Sequence, residues 1–195
     1  MRAVLVTALV SAAMLASCSE EQAHSPRPGP LATEPLPDGG RLELHASPDA
    51  GGPCIVIRGL PGGPRACGRA PSERVPQEHR SISPGPIVRR SARSPVELYG
   101  ETGPRVAQVI IRYAGGRRRE RIVYATLARA TDRRALSAAR IRQPFGYFVA
   151  TVPGTVRRAW ADARTGSGEP LGSADFSKQL ADGHPTTVFL RRARP

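Results

Sequence analysis

Aromatic residues make up only 5% of this chain, and none precedes Tyr99. Phe, Tyr and Trp bury the most area per residue, so a first half without them cannot supply the main core. That core is expected within 95–190, with an arm and peripheral structure before it. Cysteine is also scarce, three in 195 residues, and no Cys-x-x-Cys occurs. This excludes the usual dithiol redox site and the zinc knuckle. The motifs Gly-x-Ser-x-Gly, His-Glu-x-x-His and the glycine-rich phosphate loop are missing as well. His24, His45, His79 and His184 are the only histidines, and none has a neighbour at metal-ligand spacing. Asp162 has Ser167 and Glu169 nearby in the chain, but without an Asp-x-Asp-x-Asp ladder they read as a turn, not a cation loop. Gly166-Ser-Gly168 lacks the lysine of a phosphate loop and reads as part of the same turn. No cofactor, metal or catalytic group is expected.

What is present in excess is arginine. The net charge is +13, Lys178 is the only lysine and asparagine is absent. Arg, Ala, Gly and Pro have GC-rich codons while Lys and Asn have AT-rich ones, so a GC-rich genome accounts for the composition. A second reading gives the charge a role, on anionic lipid headgroups or acidic envelope polymers. Arg117, Arg118, Arg119 and Arg121 are the candidate anion-facing patch. Glu120 and Asp132 beside the arginine runs favour solvated faces instead. Nucleic acid is not an expected partner, since no basic helical stripe or interleaved aromatic platform is present.

The N-terminus carries an address. Met1-Arg2 is a short positive start. Ala3 to Leu15 is apolar apart from Thr7 and Ser11, long enough for a signal segment and short for a membrane span. Leu15-Ala16-Ser17-Cys18 resembles the lipobox of bacterial lipoproteins. The resemblance implies cleavage before Cys18, a diacylglycerol on its sulfur, and a place on the extracytoplasmic face of the cell membrane. Residues 1–17 are then the signal peptide. Residues 18–40 form a lipid-anchored linker, with five prolines between Ser19 and Gly40 and few bulky apolar residues. Residues 41–195 form one ectodomain. Near ~150 residues, a domain buries roughly 70% of its unfolded surface. With Cys18 lipidated, Cys54 and Cys67 are the leftover pair in an oxidising compartment, which suggests a disulfide.

Along the ectodomain the pattern is β. Arg41–His45 and Cys54–Arg58 read as a hairpin across a Pro/Gly turn. Gly59 to Pro86 is mostly irregular, and Pro86–Arg89 is a short edge strand. Pro95–Tyr99 begins the well-patterned part. Val106–Tyr113 alternates, with Ala107, Val109, Ile111 and Tyr113 on one face. The turn Ala114-Gly115-Gly116 leads to a return through Arg117–Ala125, the strongest hairpin. Thr131 or Asp132 caps one short bridging helix, with Ala135, Leu136 and Ala139 on one side. Phe145–Val152 is apolar almost throughout, as in a strand covered on both faces. Val156–Ala163 returns, and Thr187–Leu190 is the last strand before the basic end.

Short strands, frequent turns and one minor helix predict a mainly β protein, an antiparallel sandwich. Val-Ala-Gln-Val-Ile-Ile-Arg-Tyr (106–113), Phe-Gly-Tyr-Phe-Val-Ala (145–150) and Ala-Asp-Ala-Arg-Thr-Gly (161–166) resemble small immunoglobulin- or fibronectin-like ectodomains of actinobacterial lipoproteins. The resemblance covers under half the chain and implies an Ig-like fold, with no functional residues carried over. It departs from immunoglobulin domains in lacking paired cysteines around a core tryptophan. The reading is a non-catalytic, membrane-anchored binding module of the envelope with a protein or anionic partner. The alternatives are an enzyme or accessory domain with a dispersed site, and a structural spacer.

Overall fold

The computed structural model describes residues 29–47, 52–58, 65–67, 81–89, 94–115 and 119–182. The signal segment, Cys18, most of the linker, His24, His79, His184, Arg117, Arg118 and the expected strand Thr187–Leu190 lie outside these residues.

Alternation at period two builds the chain. Twelve strands are described: β1 (Ala32–Pro35), β2 (Arg41–Ser47), β3 (Gly52–Arg58), β4 (Arg65–Cys67), β5 (Ile82–Arg89), β6 (Val96–Thr102), β7 (Gln108–Ala114), β8 (Arg121–Tyr124), β9 (Thr126–Ala130), β10 (Phe145–Val152), β11 (Arg158–Arg164) and β12 (Pro170–Asp175). All described pairings are antiparallel. They form three four-stranded sheets, ordered β1-β2-β3-β4, β5-β6-β10-β9 and β12-β11-β7-β8. The protein is a mainly β, antiparallel sandwich.

The second and third sheets enclose the larger core. Val96 and Leu98 of β6 and Phe148, Ala150 and Val152 of β10 face Val109 and Ile111 of β7. Ala159, Ala161 and Ala163 of β11 are fully buried there, and their small size leaves room for the rings of Phe148 and Phe176. Those two rings meet edge to face at 6.3 Å.

β10 also buries its other face. Phe145, Tyr147 and Val149 join Tyr99, Ala128 and Ala130 beneath Leu36, Leu42, Leu44, Leu136 and Ile141. This second core explains why β10 reads as apolar on nearly every position. The same packing corrects two expectations. Residues 18–40 contain β1, which pairs with β2, so the last part of the stretch read as linker is strand and turn. The first half is not merely peripheral, since Leu42 and Leu44 are fully buried.

Two short helices are found among the described residues, where one was expected. α1 (Arg133–Ala138) is capped by Asp132, whose Oδ1 accepts the N–H groups of Arg134 and Ala135 at 2.8 and 3.2 Å. It is more than a bridge, since Leu136 is buried in the second core. α2 (Ser177–Ala181) follows β12 and closes the end of the larger core with Phe176 and Leu180. Neither β12 nor α2 was anticipated. The edge strand expected at Pro86–Arg89 runs over Ile82–Arg89, with a bulge between Pro84 and Ile87. Prolines belong at such edges and bulges, where no ladder N–H is required.

Asp175 accepts the Ser177 backbone N–H at 2.7 Å at the start of α2. The nearby Ser177 hydroxyl, ahead of that backbone N–H, holds the Asp175 carboxyl below the usual carboxylate range. The folded value is depressed, so this support is present above about pH 4 and fades as pH falls through that point. Protection of the α2 amides against hydrogen exchange, taken relative to the intrinsic rate at each pH, should therefore fall below about pH 4. Asp175→Asn should remove that pH dependence, and an unchanged profile in the variant would contradict this cause.

Candidate binding surface

The third sheet turns one face to the core and the other outward. Register sets the outward residues in two rows, Tyr124–Ile110–Asp162–Ser173 and Ile122–Arg112–Trp160–Asp175. Such opposed side chains are the contact unit of a sheet surface. Arg112 lies with its guanidinium carbon 5.8 Å from the Trp160 ring centroid. Its Nε and Nη2 donate to the two oxygens of Asp162 at 2.5 and 3.2 Å, and its Nη1 donates to Glu120 at 3.3 Å. The Asp162 hydrogen bond, ahead of its charge, raises the Arg112 pKa above the ordinary arginine value, and burial opposes it. This clamp fixes the centre of the face.

Beside the clamp the surface is apolar. Ile122 is 60% and Tyr124 66% exposed, both on β8, one of the two edge strands of this sheet. Tyr124 stands at a cleft of about 420 Å³ between the β1–β2 turn and the sheets. Leu36, Pro37 and Asp38 come from that turn, Tyr99 and Val149 from the second sheet, and Val123 from β8. The cleft is within the size range of ligand pockets. The Leu36–Gly40 turn that walls it is closed by Leu36 N–H donating to the Gly40 carbonyl at 2.9 Å, with Gly39 at φ 87.

Of the candidate anion patch, Arg119 and Arg121 are exposed and line one small recess with Tyr113, Thr155 and Val156. Cys54 and Cys67 are direct partners in the β3–β4 register. His45 Nε2 lies 2.8 Å from Glu43 Oε2. Asp162 is held by Arg112, while Ser167 and Glu169 bond to Thr165 within their turn, so these three do not converge on a cation. Among the described residues no group of three or more His, Cys, Asp or Glu side chains could hold a metal. Among the described residues no helix is long and apolar enough to cross a membrane.

No family model, curated protein or solved structure matches this chain. Function must therefore be argued from the surface. In the sequence Ile122 and Tyr124 alternate with Arg121 and Val123, but period two does not say which pair faces water. It missed the cleft because the wall around Leu36 lies in a stretch rich in proline. The available signal was Leu-Pro-Asp-Gly-Gly (36–40), a turn sequence set between Ala32–Pro35 and Arg41–His45.

Proposed function

We propose that this chain is an extracytoplasmic lipoprotein, anchored to the cell membrane through Cys18, whose sandwich is a non-catalytic binding module of the envelope. The address rests on the Leu-Ala-Ser-Cys signal. The binding role rests on one observation: Ile122 and Tyr124 are exposed on an edge strand, with Tyr124 at a cleft. Natural sheets blunt their edges with charge, bulges or proline. Here Arg119-Glu120-Arg121 is charged, but the next residues leave an apolar stretch of edge in water. That combination suits an extended segment of an envelope protein, added as a strand and seated by its side chains. Arg119 and Arg121, at the end of the hairpin, would face anionic envelope polymer.

A photo-crosslinking residue at position 122, compared with one at exposed Ser167, tests the binding role in intact envelopes. Discrete adducts from position 122 and none from 167 are expected. Equal adducts from both positions, or none from either, contradict a β8 docking strand.

The export reading also implies a Cys54–Cys67 disulfide. Directly opposed residues in an antiparallel pair lie about 4.5–5.5 Å apart at Cα, within the range a disulfide spans. In the chain-entropy account a loop of this size contributes about 3 kcal/mol. Non-reduced exported protein should resist alkylation at both sulfurs, and Cys54→Ser should lower stability by about that amount. Two freely alkylated thiols would contradict the pairing.

A further inference from the structure

We propose that the groove beside α1 binds the phosphodiester of an anionic lipid headgroup. The groove measures about 690 Å³ and is lined by Arg133, Arg140 and Arg142, with Leu136, Ser137 and Ile141 among them. Among the described residues none of the three arginines has an ion-pair partner. The nearest acid in sequence, Asp132, is committed to capping α1. Arg112 shows the contrast, with two carboxylates around it.

The backbone adds an independent observation. α1 ends in a Schellman arrangement, with Ile141 N–H donating to the Leu136 carbonyl at 2.8 Å and Arg140 N–H to the Ser137 carbonyl at 2.9 Å. Arg140 takes the left-handed position of that motif, at φ 57, and among the described residues no other non-glycine has positive φ. Glycine fills this position without strain, and arginine does not. Strain of this kind persists where a side chain is needed at that place.

Three unfavourable features therefore meet at one groove. Arg140 is strained, Arg133 opens a helix at the end that disfavours cations, and three like charges share one lining. A helix-dipole effect alone would account for a cation after the last turn, but not for Arg133 or for an arginine at φ 57. One bound anion relieves the charge terms together. Leu136 and Ile141 lie buried behind this lining, and half-buried Pro144 adds a small apolar part to it. The lipid source, though not the anion site, rests on the membrane-anchored reading.

The test uses the chain from Ser19, which keeps every described residue and cannot be lipidated at Cys18. Co-sedimentation with phosphatidylglycerol vesicles is compared with phosphatidylcholine vesicles and with glycerol phosphate as a soluble competitor. Binding to the anionic vesicles alone is expected. Arg140→Gly should lower partition about fivefold, and Arg133→Gln with Arg142→Gln about 25-fold. Arg140→Gly should also raise the melting temperature by about 2–4 °C, by releasing the backbone strain, so weaker binding cannot be ascribed to unfolding. Unchanged partition in the groove variants, or a loss arising only from Arg119→Gln with Arg121→Gln, overturns the site. Full displacement by glycerol phosphate with no preference for vesicles overturns the headgroup and leaves a soluble phosphate ligand. Because the probe lacks Cys18, failure here is separable from failure of the anchor.

Discussion

Phe148→Ala should lower the unfolding free energy by about 3–5 kcal/mol, read from denaturant titration of the chain from Ser19. Phe148 is fully buried on β10, the strand shared by both cores, and packs edge to face on Phe176. It is also the direct cross-strand partner of Gly100 on β6. A Cβ at Gly100 would lie 2.3 Å from one ring carbon of Phe148, 2.4 Å from another and 2.6 Å from the Ser83 carbonyl oxygen. The ring thus occupies the place of the missing side chain. Gly100→Ala should itself cost roughly 1–3 kcal/mol through overpacking. The two changes share a contact, so the double variant should lose less than the sum. Strict additivity would contradict the ring-on-glycine packing.

Leu42→Ala should cost about 2–5 kcal/mol, because β2 seals the second core from outside. Leu42 and Leu44 are fully buried against Tyr99, Phe145 and Tyr147. If the N-terminal sheet were peripheral, the same truncation would cost under about 1 kcal/mol. Denaturant midpoints with unchanged slope separate the two outcomes.

Much of the sandwich was legible because its residues carry local signals. Val109 and Ile111 alternate with polar neighbours, Gly115 marks the hairpin, and Asp132 sits where a cap must be. The nearly continuous apolar run of β10 foretold cover on both faces, though not what supplies the second cover. That came from Leu36, Leu42 and Leu44, whose burial depends on a sheet packed across a long sequence separation. β1 was hidden because Pro35 and Pro37 read as linker chemistry, whereas proline is tolerated at the end of an edge strand. β12, with Gly172 and Ser173 inside it, carries little apolar pattern and is held by pairing to β11. Exposure of Ile122 and Tyr124 was invisible for another reason. Period two divides a strand into faces but does not say which face is wet. The strain at Arg140 likewise has no sequence signature, since nothing in Ala139-Arg140-Ile141 marks a left-handed turn.

The central claim is a sandwich displayed from a lipidated Cys18. Mass spectrometry of the N-terminal peptide of the mature protein, isolated from membranes, tests it most directly. The account predicts a chain that begins at Cys18 and carries a diacylglycerol on its sulfur. A mature chain that keeps residues 1–17, or one that carries Cys18 without lipid, would contradict it.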